Sequence, residues 1–233
     1  MKKTTIILLV CLLTALCTGA LAESITLVSQ NVYACPEYST SGYGRIYAEI
    51  RNDGDAPVKL SKVCDVRYYD KYGNVLTEYK DRSCSPSVLM PGEIGFISED
   101  LFLNAEPSKF GKGELVLHPQ VEATDLVVTR TPIIATLDLD ELEKTDGDDC
   151  YLYAELENNT DELMGEFSVV AALWNQDNEI MFSYSGYLSA LIAPGEKGIL
   201  RIELPYSLVE AWRDAGEEPT WLDCYGYTTH EAN

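Results

Sequence analysis

Only two histidines, His118 and His230, stand in the 233 residues. Nucleophilic hydrolysis needs an activated Ser or Cys, a base beside it and a third group that orients the base. Neither histidine is accompanied by a Gly-x-Ser-x-Gly elbow or a Cys-His signature. The 38 carboxylates are too numerous for any pair to be singled out as a glycosidase couple, which is defined by its separation in space. The expectation is a protein that is not an enzyme.

One acidic run raises a metal hypothesis. Asp138, Asp140, Glu141, Glu143, Asp146, Asp148 and Asp149 crowd a segment in which Gly147 permits a tight turn. Calcium is held by oxygen ligands at such density, and Asp146, Asp148 and Asp149 are the candidate ligands. The spacing differs from that of the helix-flanked calcium loop, and a solvated acidic loop accounts for the same residues. Zinc is not expected, since no two cysteines are closely spaced and neither histidine has a neighbouring ligand. The 15 tyrosines and three tryptophans suggest a different chemistry. Tyr47, Tyr69 and Trp174 fall on outward strand positions, where they can stack on sugar rings or anchor a protein partner. Cross-strand pairing on a sheet face accounts more simply for most of these rings.

Five cysteines follow residue 22: Cys35, Cys64, Cys84, Cys150 and Cys224. An oxidising exterior permits disulfides, and an odd number leaves one over. Cys64 aligns with Val169 in the repeat described next, which makes it a small buried hydrophobe. Cys35 with Cys84 and Cys150 with Cys224 are then the expected pairs, although spacing alone leaves the connectivity open.

These residues are positioned by a strand, turn and strand unit that occurs twice. Tyr47 to Asn52, Tyr68 to Leu76 and Pro91-Gly92-Glu93 recur as Tyr153 to Asn158, Leu173 to Met181 and Pro194-Gly195-Glu196, at offsets of 106, 105 and 103 residues. In the segment Arg45 to Asn52, Ile46, Ala48 and Ile50 alternate with Tyr47, Glu49 and Arg51, the period of a strand with one buried face. Further strands are expected at Ile25 to Ser29, Val58 to Tyr69, Val75 to Tyr79, Gly95 to Leu103 and Leu115 to His118, with a polar loop from Pro36 to Gly44. The second half repeats the plan from Ile133 to Leu139 onward and ends in a strand from Trp221 to Thr228. One helix is expected, with Ser207 and Glu210 as a capping box and Gly216 as its stop. Many short strands with turn chemistry between them predict an all-β chain of two tandem antiparallel β-sandwiches, residues 23–130 and 131–233.

Residues 1–22 read as a cleaved secretory signal: Lys2 and Lys3, an apolar run from Ile6 to Leu16, then Ala20-Leu21-Ala22. The run is about eleven residues, short of the about 20 that a membrane helix needs, so no transmembrane segment is expected after cleavage. Cys17 offers lipid anchoring as an alternative, against which Leu16 is large for the residue preceding an acylated cysteine. The formal net charge of −21 becomes more negative by two when the leader is lost, which excludes nucleic acid and anionic polymers as partners. An extracellular or cell-surface location follows from the leader.

Val66-Arg67-Tyr68-Tyr69-Asp70, followed by Gly73 and then Pro91-Gly92, resembles the signature of the bacterial FxLYD domain family. Tyr69 and Asp70 keep the family's last two signature positions, while Val66 and Tyr68 replace its Phe and Leu. The second copy has Ala171, Leu173, Trp174 and Asn175 there. The resemblance spans residues 44–103 and 150–204. It implies immunoglobulin-like sandwiches in secreted or surface proteins that act in binding or structure, and it brings no catalytic residues. The expected partner, an unidentified protein or glycan, rests on the aromatic positions above.

Overall fold

The computed structural model describes residues 24–38, 41–103, 107–137, 150–159, 161–165, 167–188 and 191–231. The expected leader (1–22) and the calcium candidates Asp146, Asp148 and Asp149 lie outside these residues. The described chain is mostly strand with one short helix.

In the first half, β1 (Ile25–Tyr38), β2 (Ser41–Asn52) and β6 (Ile94–Leu103) form one antiparallel sheet with β2 in the centre. Facing it is a sheet built on β3 (Val58–Asp70), flanked by β7 (Phe110–Ala123) on one side and by β4 (Val75–Arg82) and the two-residue β5 (Val88–Leu89) on the other. The alternation in β2 sends Ile46, Ala48 and Ile50 inward, where they meet Val63, Val66 and Tyr68 of β3 and Ile97, Leu101 and Leu103 of β6 in one core. Each medium apolar side chain so buried stabilises the fold by about 1.5–3 kcal/mol.

The second half begins with β8 (Leu126–Pro132), which pairs along the last strand, β14 (Trp221–Glu231). The sheet order is β12 (Ile180–Leu188), β11 (Phe167–Trp174), β14, β8. Facing it, β10 (Cys150–Glu157) lies between β9 (Ile134–Leu137) and β13 (Lys197–Leu204). Helix α1 (Tyr206–Ala215) buries Leu208, Val209 and Trp212.

The recurring anchors make recurring contacts. Asn52, fully buried, donates through Nδ2 to the carbonyls of Ala56 and Leu89, while its backbone is bonded to Gly92 and Glu93. Asn158 donates to the carbonyls of Glu162 and Ile192 and is tied to Gly195 and Glu196 in the same manner. Gly92 and Gly195 adopt φ of 78° and 75°, the left-handed region that a side chain disfavours. At the other hairpin, the Asp70 carboxylate accepts from the backbone N–H groups of Tyr72 and Asn74, and Asn175 Oδ1 accepts from those of Asp177 and Glu179. These side chains close their turns locally, which is why Asp and Asn interchange at this position.

Several expectations are corrected. The polar loop expected from Pro36 to Gly44 is largely strand: β1 and β2 remain paired as far as Tyr38 and Ser41. Pro36 is accommodated because β1 is an edge strand and needs no outward amide. The expected capping box is absent. Pro205 is the N-cap without a side-chain bond, Ser207 accepts from Arg45 Nη1 at 3.3 Å, and Glu210 accepts from the Tyr206 hydroxyl. Gly216 does stop the helix in the left-handed conformation.

The disulfide expectation is corrected as well, because no two of the described cysteines lie at disulfide distance. Cys35 points from β1 into the core of the second half while Cys84 is buried in that of the first, so the sheet of β1, β2 and β6 separates them. Cys150 and Cys224 share a core but sit on different sheets. Cys64 is fully buried, as its alignment with Val169 requires.

Candidate functional site

The even positions of β2 face the first core, and its odd positions face the second half of the chain. Arg45, Tyr47 and Glu49 are 6%, 2% and 4% exposed. The Tyr47 ring lies 5.3 Å from that of Phe182, and Phe96 meets Trp174 edge-on at 6.0 Å. Ser98 Oγ donates to the carbonyl of Ser183 at 2.6 Å, and the Ile180 amide donates to Ser29 Oγ at 3.0 Å. β2 is therefore buried on both faces, and the two halves share an apolar and hydrogen-bonded junction.

Sequence reasoning placed Tyr47, Tyr69 and Trp174 outward as contact residues. The structure brings Tyr47 and Trp174 together, but inside the junction, where neither ring is open to a partner. The period of two identifies the face on which a residue lies and not whether a second layer covers that face. Tyr69 stays on the outer side of β3. Its hydroxyl donates to Glu114 at 2.7 Å, and the Lys112 ammonium lies 4.9 Å from its ring centroid, so its polar and aromatic surfaces are already engaged.

The histidines are on different sheets. His118 of β7 contacts Asp65 of β3 at 2.7 Å through Nε2, and His230 lies near the end of β14 opposite Val127. Among the described residues no group of three or more His, Cys, Asp or Glu is placed to hold a metal ion, and no helix is long and apolar enough to cross a membrane.

At one end of the junction the halves leave a cleft of about 440 Å³, within the size range of small-molecule sites. One wall is β14, whose alternate residues Trp221, Asp223 and Tyr225 all line it. Trp221 pairs across strands with Trp174, and the two indoles stack in parallel at 3.7 Å with a 4° interplanar angle. Trp174 is 3% exposed and Trp221 43%, so the pair presents a single open ring, that of Trp221. The Trp174 Nε1–H donates at 2.8 Å to Glu49 Oε1, which fixes the lower ring from the first half.

Beside β14 in the same sheet, β8 supplies Arg130, and the Pro91-Gly92-Glu93 turn brings Gly92 and Glu93 to the cleft from the first half. The Arg130 guanidinium sits 4.3 Å from the Tyr225 ring centroid, with Nε 3.0 Å from Glu93 Oε1, and Nη2 donates to the carbonyl of Ile94. Three carboxylates, of Glu49, Glu93 and Asp223, thus line the cleft beside one guanidinium. Burial pushes the Glu49 carboxyl above its ordinary range, opposed by the bond from Trp174. Burial likewise raises the Tyr225 phenol, against the nearby charge of Arg130. The Tyr225 hydroxyl is enclosed without a hydrogen-bond partner among the described residues. A buried donor left in that state costs about 1–3 kcal/mol. Trp221, Asp223 and Tyr225 were legible as alternate residues of a terminal strand, but the cross-strand register that sets Trp221 on Trp174 was not.

No family model and no curated protein matches this chain. Among solved structures, that of red sea bream transglutaminase is similar at a TM-score of 0.22 and 10% identity, over 90% of this chain and 31% of that one. The chain thus spans about a third of that structure's length, and likeness at this level carries no argument about fold or activity.

Proposed function

We propose that this chain is a non-enzymatic interaction module of the bacterial cell exterior, made of two tandem immunoglobulin-like sandwiches of the kind the FxLYD resemblance implies, and that it receives its ligand in the cleft between them. The tandem reading is supported by matching neighbours: β2 lies between β1 and β6 as β10 lies between β9 and β13, and β3 separates β4 from β7 as β11 separates β12 from β14. The Asn52 and Asn158 contacts to their Pro-Gly-Glu turns support it further.

The binding reading is carried by the Trp221 indole. It is fixed on one face by Trp174 and open on the other, at the mouth of a cleft that combines apolar wall with a few convergent polar groups. A stacked ring held by the fold gives up little conformational freedom when a ligand settles on it. A thermal-shift screen of small glycans, amines, peptides and metal salts tests this reading. A ligand that raises Tm for the native chain and not for Trp221→Ala supports it. Stabilising ligands that ignore that substitution would move the site elsewhere.

A further inference from the structure

We propose that the cleft takes a neutral pyranose glycan, with one sugar ring lying flat on the open face of Trp221 and its hydroxyls reaching Asp223 and Asn178. This rests on the cleft being the binding site and adds the chemistry of what it binds.

The aromatic groups leave one flat surface for a ligand. The Tyr225 face is already occupied by the Arg130 guanidinium at 4.3 Å, and Trp174 is covered by Trp221. What remains is one indole plane. The electron-rich face of an indole attracts the weakly positive C–H groups that line one side of a pyranose ring.

The polar groups around that plane match the rim of such a ring. Asp223 lies two residues from Trp221 along β14, on the same face of the strand, and its carboxylate accepts from hydroxyls. Asn178 lines the cleft from the turn between β11 and β12, where its backbone is held at φ 60°, and its amide both donates and accepts.

Charge narrows the class. Three carboxylates against one guanidinium, on a chain of net charge −21, oppose uronic acids and phosphorylated sugars. Among glycans, that balance selects the uncharged ones.

Isothermal titration calorimetry on the purified chain tests this, with cellohexaose, xylohexaose, mannohexaose and chitohexaose as neutral probes and hexagalacturonate and hexalysine as charged ones. The expected result is binding of at least one neutral glycan with Kd in the range of about 10 μM to 1 mM, weakened about tenfold or more by Trp221→Ala and less by Trp221→Phe, with no binding of hexagalacturonate. Retention of the native Tm by Trp221→Phe guards against reading a folding defect as lost binding. If hexalysine binds in a Trp221-dependent way and no glycan does, the sugar inference falls and the cleft stands. If no probe binds in a Trp221-dependent way, the sugar inference falls, and the cleft is then judged by the wider thermal-shift screen.

Discussion

Glu49 of the first half accepts a hydrogen bond at 2.8 Å from the indole nitrogen of Trp174 in the second, with both side chains almost wholly buried. One bond therefore links the junction to the cleft, because Trp174 is the ring on which Trp221 rests. Removing the acceptor leaves a buried N–H unsatisfied, which costs about 1–3 kcal/mol. Glu49→Ala is expected to lower stability by that amount, read by urea unfolding. Glu49→Gln keeps an acceptor and is expected to lose much less.

The same residue makes stability depend on pH. Burial raises the folded-state pKa of Glu49, so between the unfolded and folded values the folded chain binds more protons, and stability falls as pH rises through that window. Glu99 and Asp100 are raised by burial in the same sense, whereas Asp70 and Glu114 are lowered by hydrogen bonds, chiefly from Asn74 and Tyr69, and act oppositely. A difference measurement isolates Glu49. Tm of Glu49→Gln minus Tm of the native chain is expected to increase from pH 4 to pH 7. A flat difference would show that Glu49 titrates alike in the folded and unfolded chain.

Tyr47 and Tyr153 occupy matching places in the sequence repeat, yet one is 2% and the other 38% exposed. The first packs on Phe182, while the second lies on the outer side of the sheet formed by β9, β10 and β13. Truncating a large buried ring costs about 3–5 kcal/mol, whereas surface changes usually stay within about 0.5 kcal/mol. Tyr47→Ala is expected to show the large loss and Tyr153→Ala almost none, by equilibrium unfolding of each variant. Equal losses would contradict the junction.

That pair also marks how far the sequence could be read. Alternation within Tyr47 to Asn52 and Tyr153 to Glu157 identified the strands and their inner faces, because period two is a local property. The turns were legible for the same reason, since Asp70, Asn175, Gly92 and Gly195 act within a few residues of themselves. Which sheet face meets another sheet depends on contacts between residues far apart in sequence, such as Glu49 with Trp174. The Tyr-Ala-Glu segments are identical in both copies and their fates differ. The cleft was missed on the same account, as it is assembled from β14, β8, the Pro91-Gly92-Glu93 turn and the Trp174 side chain. The cysteine pairs failed because spacing along the chain does not reveal that a whole sheet lies between Cys35 and Cys84.

Burial pushes the Cys35 thiol up to about 11 and those of Cys64, Cys84 and Cys224 up to about 12. The thiolate is the reactive form, and these groups hold little of it at pH 8. Iodoacetamide is expected to leave all four unmodified in the native chain and to label them after denaturation in guanidinium, as read by peptide mass spectrometry. Recovery of a Cys35–Cys84 disulfide peptide from the native protein would contradict the placement of these residues in separate cores.

The three indole N–H signals of Trp174, Trp212 and Trp221 give the most direct view of the proposed site, because two belong to the cleft and the third is buried in α1. Titrating ¹⁵N-labelled protein with a stabilising ligand is expected to move the Trp221 signal most and the Trp174 signal less, with Trp212 unchanged. Saturable binding that shifts Trp212 or leaves all three indoles in place would contradict binding in the cleft.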